Sequence, residues 1–173
     1  MNTVLFECHP DDSVLFSAFS VLRHGAFIVT VLGADATRYA ETEAAAAVLG
    51  VQSMNLGFSE MHHDWDEIGY RMERLDQTRM DVDLVFAPLE EEEGHAQHND
   101  VGLLAREIFG SRCRFYATYR RGHGRTRTDN EVIPEPDWYA KKFRAMSCYT
   151  SQINHPQMRP WFAADDCLRE WIA

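Results

Sequence analysis

The chemistry-bearing residues arrive early, in the stretch Cys8-His9-Pro10-Asp11-Asp12 that follows the apolar run Val4-Leu5-Phe6. An imidazole and two carboxylates within four positions can serve a metal, a proton transfer or both. Pro10 lacks the N–H a sheet ladder needs and fixes its own φ, so it is expected to end the strand and turn the chain. His9 then stands at a strand tip, while Asp11 and Asp12 open the helix whose apolar positions are Val14, Leu15, Ala18, Phe19, Val21 and Leu22. A strand-tip imidazole and a carboxylate three residues later can converge on one ion at a helix amino end. On this segment alone, Asp11 as a plain helix cap and His9 as an ordinary turn residue is an equal reading.

The elements that would position these groups alternate. After the first helix, ending at His24-Gly25, a buried strand is expected over Ala26 to Leu32, closed by Gly33. An alanine-rich helix containing Arg38, Glu41 and Glu43 stops at Leu49-Gly50, and a short strand follows over Ser53 to Leu56. Beyond the acidic, histidine-bearing stretch Phe58 to Glu67 come a helix over Ile68 to Met80, a strand over Val82 to Ala87 stopped by Pro88, a helix over Val101 to Phe109 and a strand over Cys113 to Tyr119. Such alternation predicts one α/β domain over 1–173, a Rossmann-like three-layer fold with a mostly parallel sheet flanked by helices. Ligands in such folds bind beyond the carboxyl ends of the strands, where the strand order reverses. In the order 3-2-1-4-5, the loops after the first and fourth strands share one crevice.

The loop after the fourth strand, Leu89 to Asp100, carries glutamates 90 to 93 and then His95 and His98. Glu90 and Glu91 read as a solvated face. Either histidine can join His9 and Asp12 in a site of two imidazoles and one carboxylate, the open arrangement of a catalytic metal rather than a structural one. His98 is expected just outside the amino end of the helix that begins at Asp100.

Composition bounds the function. The chain has 173 residues, 45% hydrophobic and 25% charged, as in ordinary globular proteins. A net charge of −10 argues against nucleic acid or an anionic membrane as partner. Cys8, Cys113, Cys148 and Cys167 form no Cys-x-x-Cys pair and are expected as reduced thiols. No signal-like amino terminus and no span of ~20 apolar residues is present, so a cytoplasmic location is expected.

Taken together these segments resemble the PIG-L/LmbE family of zinc-dependent N-acetylglucosaminyl deacetylases. His9 to Asp12 matches its His-Pro-Asp-Asp-Glu motif with Ser13 in the last place, and His95-Ala96-Gln97-His98 with Val101-Gly102 is similar to its His-x-Asp-His segment. Arg38-x-x-Glu41 with Leu49-Gly50-Val51, and Lys142 to Gln152, resemble two further signatures in the same order. The resemblance implies that His9, Asp12 and His98 hold Zn²⁺ or another divalent metal. It further implies that Asp11 is the general base and that His95 stabilises the oxyanion or delivers a proton. The implied reaction removes an N-acetyl or other N-acyl group from an amino sugar or its conjugate. Arg38 would contact substrate hydroxyls, and Glu60 stands near a position where many relatives bind the sugar through an aspartate. Two departures bear on this: Ser13 replaces a glutamate and Gln97 an aspartate, affecting the groups behind the metal ligands more than the ligands themselves. A zinc amidase for another amide and a catalytically weak sugar-binding relative are the alternatives.

Elsewhere the simpler readings lead. Arg38 could instead pair with Glu41 or Glu43 along its helix. His62, His63, Asp64 and Asp66 read as exposed loop polarity ahead of a second metal site. Arg120, Arg121, Arg125 and Arg127 among glycines read as a solvated hairpin ahead of a phosphate clamp. The tail from Pro156, with Trp161, Phe162, Leu168 and Trp171, is expected as a closing helix on the sheet, with a homo-oligomer interface as the other use of its apolar residues.

Overall fold

A computed structural model describes residues 2–75, 77, 81–163 and 168–173. Cys167 and the far end of the helix expected to reach Met80 lie outside the described residues. Five parallel strands form the frame: β1 (Thr3–Glu7), β2 (Phe27–Thr30), β3 (Ser53–Asn55), β4 (Leu84–Pro88) and β5 (Cys113–Tyr116). Two short strands, β8 (Asn130–Glu131) and β9 (Trp171–Ile172), extend it antiparallel, giving a seven-stranded sheet in the order β3-β2-β1-β4-β5-β9-β8. A separate hairpin pairs β6 (Tyr119–Arg120) with β7 (Gly124–Arg125).

The strands are buried on both faces because their side chains alternate between two helical layers. Leu5, Ile28 and Phe86 face a layer containing α1 (Asp12–Phe16), α2 (Ala18–His24), α3 (Ala36–Leu49) and α6 (Trp138–Met146). Val4, Phe6, Val29 and Val85 face α4 (Trp65–Leu75) and α5 (Ala96–Phe109). The expected three-layer fold and strand order are therefore observed. The strand order reverses between β1 and β4, and the loops leaving these neighbours open on one side of the sheet.

Three expectations are corrected. The first helix is broken at Ser17 into α1 and α2. The bond that would run from Phe19 N–H to the Leu15 carbonyl is replaced at both ends: Glu170 accepts from Phe19 N–H, while Lys142 and Arg125 donate to the Leu15 carbonyl. Second, the tail is not one closing helix; α8 (Arg159–Ala163) is followed by β9, which uses the free edge of β5. Third, Pro88 is the last residue of β4 rather than the residue that stops it, a terminal position where its missing N–H breaks no central ladder.

The break at Ser17 depends on a buried ion pair, Lys142 Nζ to Glu170 Oε1 at 2.6 Å, both side chains fully inaccessible. Glu170 is held further by the Phe19 and Ser20 N–H groups. Removing one member leaves the other charged and unpaired in the interior, so Lys142→Met is expected to cost about 3–5 kcal/mol. Urea unfolding with an unchanged m-value measures this.

Candidate metal centre and cavity

The sharp turn after β1 presents the first half of the site. Asp11 has φ 111°, a left-handed conformation, at the position preceding α1. Its side chain makes no capping bond, so the plain capping reading is not what the structure adopts; the carboxylate is instead left to face the cavity. Asp12 is fixed differently, its Oδ2 accepting from the His9 backbone N–H at 2.9 Å.

The second half comes from the start of α5. This helix begins at Ala96, a turn earlier than expected, so His98 lies within its first turn and His95 occupies the capping position. The early start is possible because Gly102 lets α5 rest on the end of β4: a Cβ there would lie 2.3 Å from the Pro88 carbonyl oxygen. The glutamate loop thus ends sooner, and the helix itself carries the buried His98 imidazole.

Three atoms then converge. His9 Nδ1 lies 3.1 Å from His98 Nε2, His98 Nε2 lies 3.2 Å from Asp12 Oδ2, and His9 Nδ1 lies 3.7 Å from the same oxygen. Two imidazole nitrogens and a carboxylate oxygen at these separations fit one ion with bonds of about 2.0–2.2 Å. The donor set matches zinc or a similar divalent metal, and Cys8 joins the same compact group of ligand-type atoms, all within 4.8 Å of one another. Cys8 directly precedes His9, but with no second cysteine at metal-ligand spacing the sequence does not mark it as a ligand. Its Sγ contacts the other ring nitrogen, His9 Nε2, at 3.7 Å, and burial pushes the thiol up to about 11.

Gln97 explains how His9 is oriented. His9 Nε2–H donates to Gln97 Oε1 at 2.9 Å, which leaves Nδ1 with its lone pair toward His98 and Asp12. Gln97 Nε2 in turn donates to the Glu60 carbonyl at 2.7 Å. Glutamine therefore fixes the tautomer without adding a charge. Gln97→Leu is expected to weaken metal affinity about 10–100-fold with an unchanged far-ultraviolet spectrum, checked by competitive zinc titration.

Arg38 reaches into the site rather than pairing along its helix. Its guanidinium donates to Glu60 Oε1 and, at 2.9 Å, to the Pro10 carbonyl, and lies 3.5 Å from Asp11 Oδ2. Glu41 acts elsewhere. Its carboxylate accepts from the Ser151 N–H and hydroxyl at 2.7 and 2.6 Å and from Thr150, tying α3 to α7 (Thr150–Ile153). The Arg-x-x-Glu and late segments are thus one structural unit, and Gln152 beside it lines the cavity.

The cavity, about 190 Å³, is lined by His9, Asp11, Asp12, Arg38, Glu60, His95 and His98, with Gln152 and a mostly apolar and aromatic remainder. Every candidate site residue from the sequence is in it. Burial, then the charge of Asp12, holds the Asp11 carboxyl well above the usual carboxylate range, against the opposing pull of Arg38. Burial, then the electrostatic influence of the neighbouring His98 and His9 imidazoles, pushes His95 down to about 4. At neutral pH His95 is therefore an uncharged imidazole, suited to donating a hydrogen bond to developing negative charge.

The remaining polar clusters stay outside the site. Asp64 caps α4 by accepting from the Asp66 N–H, and His63 is bonded to the Ser59 carbonyl. The arginine segment is the β6–β7 hairpin, with Arg125 turned inward over the Phe16 ring and Arg120 paired with Glu91. These placements favour a hairpin over a phosphate clamp.

The sequence matches no protein-family model and no curated protein. Solved structures do match over nearly the whole chain. The 4-carboxy-2-hydroxymuconate hydratase GalB of Pseudomonas putida is 15% identical, covers 99% of this chain and 95% of its own, and superposes with a TM-score of 0.75. A zinc-inhibited form of teicoplanin deacetylase Orf2 is 14% identical with coverages of 99% and 97% and a TM-score of 0.73. The N,N′-diacetylchitobiose deacetylase of Pyrococcus horikoshii is 18% identical with coverages of 96% and 72% and a TM-score of 0.68. The chain has the fold of the LmbE/PIG-L-type deacetylases, and that fold also carries a hydratase.

Proposed function

We propose that this chain, with the fold just described, is a metal-dependent N-deacylase that hydrolyses the N-acyl group of an amino sugar or its conjugate. The observation that carries the reading is the convergence of His9, Asp12 and His98 on one point beside a buried carboxyl, Asp11, that is not spent as a helix cap. A bound zinc or similar ion would polarise the amide carbonyl and acidify a water. Asp11, a buried carboxyl held above the usual carboxylate range, would take a proton from the attacking water and return it to the leaving amine. His95, neutral at pH 7, donates to the oxygen on which charge develops. Arg38 and Glu60, locked to each other, meet the hydroxyls on the amine side.

Cavity charge separates this reading from a hydratase acting on a carboxylated substrate. Among the described residues that line the cavity, Arg38 is the one arginine or lysine, and it already faces Asp11 and Glu60. Beyond such a metal ion, a polycarboxylate would find Arg38 already engaged by Asp11 and Glu60, whereas a neutral amide needs no further cation. Among the described residues, no helix is long and apolar enough to cross a membrane. Amine release from N-acylated amino sugars and their conjugates, beside water addition to unsaturated carboxylic acids, tests the assignment. Amine release alone supports it, and water addition without amine release overturns it.

A further inference from the structure

One wall of the cavity plays no part in the reaction as described. Phe16 and Tyr119 stack with ring centroids 6.2 Å apart, and Tyr119 meets Trp161 at 4.8 Å. Leu15 and Met158 complete this apolar side. Although Phe16 is buried, Tyr119, Met158 and Trp161 remain partly open. The wall abuts the metal ligand His98, whose ring meets Tyr119 edge-on at 5.8 Å and Phe16 at 6.3 Å. Arg125 lies over Phe16 at 4.7 Å and holds the wall from behind.

Reaction geometry decides which half of an amide meets this wall. Water adds to the acyl carbon, the C–N bond breaks, and the nitrogen keeps the bonding pair and takes its proton from the Asp11 carboxyl, giving amine and carboxylic acid. The amine must therefore lie on the side of Asp11, where Arg38 and Glu60 offer partners for hydroxyls. The acyl group points the other way, past His98 and onto the rings. An acetyl methyl covers little of such a surface, whereas a longer chain removes both itself and the rings from water.

We propose that the physiological acyl group is longer than acetyl, an aliphatic chain of several carbons seated on Phe16, Tyr119, Trp161 and Met158. This rests on the N-deacylase reading and adds its acyl specificity. Each fully buried methylene contributes about 0.8 kcal/mol, roughly a fourfold gain, so with about two to three of the four added methylenes buried on a wall that stays partly open, about 10- to 100-fold is expected between acetyl and hexanoyl.

The test compares N-acetyl-, N-butyryl- and N-hexanoyl-glucosamine. With metal-loaded wild type, kcat/KM is expected to rise along the series, and the hexanoyl-to-acetyl ratio to fall toward one in Trp161→Ala while Trp161→Phe keeps most of it. Calorimetric affinities of the same amides for Asp11→Asn give a second readout that needs no turnover. Affinity that rises with chain length without amine release from wild type would retain the acyl seat and remove the reaction. Amine release with flat rates and affinities along the series, or a ratio untouched by Trp161→Ala, would overturn the acyl seat and leave the reaction standing.

Discussion

Asp11→Asn is expected to lower kcat about 10²–10⁴-fold while one metal per chain is retained. Asparagine keeps the size of the side chain and is among the residues best tolerated at positive φ, so the turn at φ 111° survives. What disappears is a group that can take and return a proton. The three converging atoms belong to His9, Asp12 and His98, and the Asp11 carboxyl stands apart from them beside Arg38. Initial rates of amine release, paired with metal analysis of the same preparation, measure both halves of the expectation. Rates within tenfold of wild type would remove Asp11 from proton transfer.

His98→Ala is expected to act on the ion itself. One of three protein ligands is lost, the remaining pair is His9 Nδ1 and Asp12 Oδ2 at 3.7 Å, and metal content should fall well below one per chain. Zinc stabilises whatever binds it in the folded state, so added metal should raise the melting temperature of wild type and not of the variant. His98 also supports Asp12 electrostatically: burial alone would raise the Asp12 carboxyl, and the neighbouring imidazoles, His98 foremost, hold it well below the usual range. The metal-free variant should therefore also be less stable than metal-free wild type. Equal zinc-induced shifts in both proteins would place the ion elsewhere.

Much of the scaffold is legible in the sequence because its signals are local. The β-rich runs before Pro10, Gly33, Gly57 and Pro88 mark strand ends, and alternation with helices fixes the parallel order that sets His9 and Asp12 opposite His98. What is not legible depends on partners distant in sequence. The break at Ser17 is held by Arg125, Lys142 and Glu170, more than a hundred residues away, so helical periodicity across Phe16 to Phe19 reads as continuous. The end of the tail pairs as a strand because β5 leaves an edge, which no short-range pattern of Trp171 and Ile172 reveals. At the site, the family resemblance names the candidate ligands, but the roles of Gln97 and Glu41 emerge only from the contacts: one fixes the His9 tautomer, the other joins α3 to α7.

Arg38 shows the same limit in the other direction. Charge spacing offers Glu41 and Glu43 as helix partners, whereas the guanidinium spans from Glu60 to the turn at Pro10 and Asp11. A half-buried arginine gains more from charged and carbonyl partners in the cavity than from exposed pairing one turn away.

The most direct test of a metal-dependent N-deacylase is amine release from N-acylated glucosamines as zinc is added back to chelator-stripped protein. No release is expected from the stripped protein, followed by a rise that levels at one equivalent per chain. Full activity in the stripped protein, or one tightly bound equivalent with no amine released from any member of the series, would contradict a metal-dependent N-deacylase.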